Sequence, residues 1–183
     1  LNNDLSSGVP DILRVLEQPV MPPADLGWAS RLKSSHFRHY HEIAREFAEI
    51  VEVDAWFIDP LFRQCGEIDF MKREGEECLR MNVAQLLADI QRKYDQYGIA
   101  QSPFVIVKAD AGTYGMGVMT IRDSSEIGEL NRKERTRMSS GKGGQSVSKV
   151  ILQEGVYTFE TWGEEHAIAE PVVYMMDRFV VGG

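Results

Sequence analysis

The chain is short of several things, and each shortage excludes a class of protein. Its 183 residues hold only two cysteines, Cys65 and Cys78, too few for a disulfide scaffold and without the paired short spacings of a zinc site. They read as ordinary thiols, buried and kept reduced in a cytosolic chain, with one disulfide as the remaining option. No apolar run approaches the roughly 20 residues that cross a bilayer, and no signal-peptide pattern opens the sequence. The expected location is therefore the cytoplasm, with no membrane partner. Basic residues are in the minority, 20 Lys and Arg against 28 Asp and Glu, for a net charge of −8. That balance argues against a nucleic-acid or membrane-surface binder, which needs clustered positive charge. A single anionic nucleotide needs only a few local cations and stays allowed. Repeats and low-complexity tracts are also missing.

What is present is the mixture of a soluble globular chain, 43% hydrophobic and 26% charged. The length suits one domain or two small ones. The chain begins at Leu1 rather than a methionine, and both ends read as cut, so a piece of a longer protein is expected. Residues 1–8 form a polar loop and residues 10–16 a short helix. Pro19, Pro22 and Pro23 make residues 18–27 an extended connector. Phe37, Tyr40, Ile43, Ala44, Phe47, Ala48 and Val51 recur at helical spacing, which predicts a helix from Ser35, capped by Ser34 or Ser35. Residues 53–58 read as a short strand ended by Asp59-Pro60. Leu79, Val83, Leu86, Leu87, Ile90 and Tyr94 share one face of a second helix over residues 76–97, stopped by Gly98. Strands follow at 104–108 and 117–121, then a polar helix over 123–138, a flexible loop at 139–145 and a strand at 150–153. Two last strands, 167–176 and 179–181, are joined by a turn at Asp177-Arg178. Helices and strands are interleaved while the later strands follow one another directly, so the fold class is α+β, a mixed-sheet α/β arrangement.

The informative stretch is residues 104–121, FVIVKADAGTYGMGVMTI. Gly112, Gly115 and Gly117 form a G-x-x-G-x-G loop in which backbone N–H groups can crowd against phosphate oxygens, because no Cβ blocks the approach. Lys108, at the end of the preceding strand, adds a compact cation. A P-loop places its Lys after the glycines and opens a helix. A Rossmann fingerprint also opens a helix, whereas residues 118–121 are β-rich. A protein kinase carries its Lys on the strand after the loop. The order here is strand, Lys, glycine loop, strand, and it resembles the ATP-grasp arrangement. The plain alternative is a glycine-rich hairpin with a surface Lys, which three glycines in six residues would weaken.

The resemblance goes further. The segments LNNDLSSGVPDIL, KADAGTYGMGVMTIRD, ILQEGVYTFET and AEPVVYMMDRFVVGG look like the bacterial glutamate–cysteine ligase family called GshA, whose fold is ATP-grasp-like and related to glutathione synthetases. It spans essentially the whole chain. The resemblance implies that residues 1–34 end an N-terminal region and connector, and that residues 35–183 are an ATP-grasp nucleotide-binding region incomplete at its C-terminal side. It implies ATP, L-glutamate and L-cysteine as small-molecule substrates, Mg²⁺ as cofactor with ligands beyond this stretch, no metal ligand within it, and no nucleic-acid partner; a homo-oligomer is compatible with it. The product would be γ-glutamylcysteine, formed through an acyl-phosphate as the first step of glutathione synthesis, and the 183-residue piece alone is expected not to turn over.

Residue by residue, the resemblance makes Lys33 the first phosphate lysine and Lys108 the second and the candidate catalytic residue. Gly112, Thr113, Gly115 and Gly117 belong to the phosphate loop, where Asp110 and Thr113 either order it or merely stabilise the turn. Gln153, Glu154 and Val156 belong to a hinge whose backbone meets the adenine edge, with Glu154 near the amino group. Glu170 and Glu160 compete for the ribose. Against these stand plainer readings: Lys33 as a solvated charge beside Arg31, and Glu154, Glu160 and Glu170 as ordinary surface acids. His39 and His41, two residues apart, cannot share a helical face and so form no metal pair. Asn2, Asn3, Asp4 and Ser6 are either a contact for an amino acid or a polar interdomain loop. Other functions left open are a different ATP-grasp ligase, a nucleotide-binding module without turnover, and a phosphotransferase, against which the Lys-before-loop order argues.

Overall fold

The computed structural model describes residues 11–20, 23, 31–111, 117–140, 146–169 and 172–183. Its centre is a four-stranded antiparallel sheet in the order β1-β4-β2-β3. The strands are β1 (Phe62–Gly66), β2 (Val105–Ala109), β3 (Val118–Ile121) and β4 (Lys149–Glu154). Helix α1 (Lys33–Val51) precedes β1, and α2 (Glu76–Tyr97) links β1 to β2. Short α3 (Glu126–Glu129) and α4 (Arg132–Ser139) separate β3 from β4, and two hairpins follow: β5 (Thr161–Trp162) with β6 (Ala167–Ile168), and β7 (Tyr174–Met176) with β8 (Phe179–Gly182). The expected α+β class is what the chain adopts.

The sheet has two different faces because side chains alternate along each strand. Cys65, Val105, Val107, Val150 and Leu152 point to one face and form a single core with Leu79, Val83, Leu86, Ile90 and Tyr94 of α2. The α2 residues recur at helical spacing, so one stripe of the helix covers the sheet, and Gly98 ends it in the left-handed conformation. Arg63 of β1 reaches the same helix, donating to Asp89 at 2.8 Å. Strand register puts Lys108 opposite Ile151 and Ile106 opposite Gln153, while Gln64 pairs with Ile151 and Phe62 with Gln153. These residues therefore share the second face, against which the start of α1 rests, with the Phe37 and Phe62 ring centroids 5.6 Å apart and the rings tilted by 40°.

Several local expectations are corrected. Residues 53–58 are not a strand: α1 ends with Glu52 in the left-handed region, and Asp54 accepts from the Trp56 N–H to start a 3-10 turn over Ala55–Phe57. A local side-chain bond of this kind outcompetes β propensity. The strand lies later, at β1, whose charged and polar FRQCG reads poorly because it is an edge strand paired only to β4. Neither Ser34 nor Ser35 caps α1, for the helix begins at Lys33 with Leu32 at the cap position and no side-chain cap. The helix expected over 123–138 is two, broken at Leu130, and Asn131 with Glu134 makes the capping box that starts the second. The helix expected over 10–16 is a single 3-10 turn, Asp11–Arg14.

Candidate functional site

The two expected phosphate lysines come together on the second face. Lys33, the first residue of α1, donates its ammonium to the Ala109 carbonyl at 2.8 Å, at the end of β2. Lys108, one residue earlier on that strand, donates to Gln153 Oε1 across the sheet and stands 5.9 Å from the Phe37 ring. Burial pulls the Lys33 pKa below the usual lysine range, and the nearby charge of Lys108 lowers it further against the opposing pull of Asp110. Burial likewise lowers Lys108. Burial and mutual repulsion both weigh against these two charges, and a nearby polyanion would offset both. In a chain of net charge −8, such a pair is a local reversal of sign.

Asp110 holds this geometry, and sequence reasoning did not give it that role. It is fully buried directly after β2, and its carboxylate accepts from the Ser34 N–H at 2.8 Å, the Ser34 hydroxyl at 2.7 Å and Gln64 Nε2 at 3.2 Å. Its carbonyl accepts from the Lys33 N–H at 2.9 Å. A carboxylate at the first turn of a helix satisfies free N–H groups and complements the positive end of the dipole. Ser34, expected as a cap, is instead the donor side of this clamp. The signal available in the sequence was an acid placed next to the loop and a serine next to Lys33, with nothing to pair them.

The loop is described only at its base. Gly117 adopts φ +63° and its carbonyl accepts from the Ala109 N–H at 3.1 Å, closing the bend beside Lys108. Gly112, Thr113 and Gly115 lie outside the described residues, as do Glu170 and the cluster Asn2, Asn3, Asp4 and Ser6.

The hinge candidates divide. Gln153 meets Lys108, as above. Glu154 pairs with Val105 in register and so turns to the α2 face, where it accepts from Trp56 Nε1 at 3.0 Å and from the Leu61 N–H at 3.0 Å. Burial raises its pKa despite these donors. Gly155 packs so tightly that an added Cβ would lie 2.0 Å from the Phe104 ring, and its N–H bonds the Phe104 carbonyl at 2.9 Å. Tyr157 locks the same corner, edge-on to Phe104 and donating to the Ser102 carbonyl at 2.9 Å. Val156 is exposed and helps line a cavity of about 370 Å³ with Trp56, Tyr94, Glu154 and Phe159. Neither Lys33 nor Lys108 lines that cavity. Glu160 is exposed just before β5, its carbonyl bonded by the Ala169 N–H at 3.0 Å, far along the chain from the pair.

The histidines stay apart in role: His36 packs edge-on to Phe37, His39 is exposed, and His41 Nδ1 bonds Asp59. Among the described residues no three His, Cys, Asp or Glu side chains gather as a metal site, and no helix is long and apolar enough to cross a membrane.

Comparison with known proteins gives two matches. A family model described as glutamate-cysteine ligase matches residues 1–183. A crystal structure from Methylobacillus flagellatus KT, of a protein provisionally named gamma-glutamylcysteine synthetase, is 57% identical with a TM-score of 0.84. The match covers 99% of this chain and 42% of that one, so the chain spans less than half the length of this relative. Curated protein sequences give no match.

Proposed function

Since the chain belongs to the glutamate–cysteine ligase family, we propose that the protein it spans joins the γ-carboxylate of L-glutamate to the amine of L-cysteine, converting ATP to ADP and phosphate. The observation that carries this reading is the convergence of Lys33 and Lys108, both half-buried and with lowered pKa, at the base of a glycine-rich bend. An ATP-grasp arrangement fits the order of strand, lysine, glycine loop and strand.

The chemistry asks for what these residues offer. A carboxylate is a poor electrophile because its negative charge repels an incoming amine. Transfer of the γ-phosphoryl group gives an acyl phosphate, which the amine attacks while phosphate departs. Catalysis then consists of positioning the triphosphate and neutralising charge on the transferring group. Lys108 and Lys33 supply two charges, held by Gln153 and by the Asp110 clamp, and the loop N–H groups from Gly112 to Gly117 supply the remaining donors. The backbone from Gln153 to Val156 meets the adenine edge, and Glu160 or Glu170 the ribose. Magnesium would screen the phosphate oxygens when bound; the described residues offer no acidic cluster to hold it, and no step is assigned through it.

The test is ADP release by the full-length protein across amino-acid pairs, with the dipeptide identified by mass. Turnover that requires glutamate and cysteine together and yields γ-glutamylcysteine supports the reading. Turnover with another pair only would make the protein a different ligase, and ATP binding without turnover a nucleotide-binding module. The 183-residue piece alone is expected to form no γ-glutamylcysteine, and its formation would refute that division of labour.

A further inference from the structure

The two cysteines, unused in the proposed ligase chemistry, stand opposite each other where β1 meets α2. Cys65 is 1% exposed on the core face of β1, whereas Cys78 is exposed in the first turn of α2. Both are free thiols, and their sulfurs are 3.1 Å apart. Closing a disulfide asks them to approach by about 1 Å, within the reach of side-chain torsions. Asn82, one turn along α2, is fixed by donating to the Cys78 carbonyl at 2.9 Å, with its Nδ2 3.4 Å from Cys78 Sγ. The neighbouring acids are neutralised locally, Glu77 by Arg80 at 2.6 Å and Glu76 by Arg73 at 3.2 Å. Cys78, the exposed thiol, is thus the sulfur that a reagent in solvent reaches first.

We infer that Cys65 and Cys78 form a reversible thiol–disulfide couple, oxidised by small-molecule disulfides that enter through Cys78. In the first step the Cys78 thiolate attacks one sulfur of the small disulfide; a new S–S bond forms to Cys78 and the other half leaves as a thiolate, which takes up a proton. In the second, Cys65 attacks Cys78 Sγ, the internal bond forms, and the Cys65 proton passes to the departing sulfur, so the second half leaves as a thiol. Two protein thiols and one small disulfide thus become one protein disulfide and two small thiols. The order follows from access: Cys65 is sealed in the core, and burial with Cys78 beside it pushes its pKa up to about 12. The bond would pin the edge strand that carries Gln64, one of the three donors to the Asp110 carboxylate.

The couple is independent of the ligase reading and is tested without activity. The native full-length protein is incubated with bis(2-hydroxyethyl) disulfide, free thiols are blocked, and tryptic peptides are mapped without reduction. Wild type is expected to give residues 64–72 linked to residues 74–80, reversed by dithiothreitol. Cys65→Ser is expected to accumulate the mixed disulfide on Cys78 at least tenfold over wild type, and Cys78→Ser to leave Cys65 unmodified. A stable mixed disulfide on wild-type Cys78 without the linked peptide would overturn the inference. So would no reaction in the wild type, or modification of Cys65 in Cys78→Ser as fast as Cys78 reacts in the reciprocal variant.

Discussion

The sheet with α2 and the hairpins that follow it are built on opposite terms. The first buries Leu86, Ile90, Val105, Val107, Val150 and Leu152 almost completely. In the second, every described residue from 156 to 183 except Ala169 is exposed, with Phe159 82%, Trp162 81% and Met176 69% accessible. A two-stranded ribbon alone is marginal in water, whereas an antiparallel sheet with a helix on one face holds itself. The difference teaches where the lysine pair draws its rigidity. Lys108 and Gln153 sit on strands whose other face is the core, and Lys33 is tied to the same strand end through Asp110. The hairpins contribute no packing of that kind.

The comparison can be broken at several points. Leu86→Ala in the core is expected to cost about 3 kcal/mol in urea unfolding of the 183-residue chain, against under about 0.5 kcal/mol for Val180→Ala on β8. Equal costs would mean that the hairpins share the core. Gly155→Ala pushes a methyl into the Phe104 ring, and a cost of about 1–3 kcal/mol is expected by the same measurement. Hydrogen exchange should protect the amides of β2 and β4 well beyond those of β7 and β8; matched protection would contradict the division. The smallest effect is in acid. Asp54 accepts from Lys93, Tyr97 and the Trp56 N–H, which lowers its pKa from 3.8 to about 2. A depressed carboxylate stabilises the fold above its unfolded pKa and loses that contribution as pH falls through its folded one. Asp54→Ala should therefore flatten the pH dependence of stability between pH 3.8 and about 2, and an unchanged slope there would remove Asp54 from the account.

Long periodic elements were legible in the sequence, and pairings across distance were not. The α2 stripe, its Gly98 stop and the strands on both sides of the glycine loop follow from local pattern. Lys33 and Lys108 were legible as a pair only through the family resemblance, since no local rule joins a helix start to a distant strand end. Asp110, Ser34 and Gln64 escaped because each is ordinary alone and gains meaning from contacts made by three separate elements. Trp56 and Glu154 were missed as partners for a related reason. The side of the sheet that Glu154 faces depends on strand register, and the turn that presents Trp56 was read as a strand.

The central claim is that two lysines, Lys108 on β2 and Lys33 at the start of α1, grip a polyanion together. Its most direct test is calorimetric binding of a non-hydrolysable ATP analogue to the full-length protein and to Lys108→Met, in buffers of different ionisation enthalpy. Because burial lowers both lysine pKa values, binding of a polyanion should raise them again. Wild type should therefore take up protons on binding in alkaline buffer, with affinity falling as pH rises. Lys108→Met should bind at least tenfold more weakly, take up fewer protons and melt like wild type. Equal affinity in the two proteins, with no proton uptake in either, would contradict the grip.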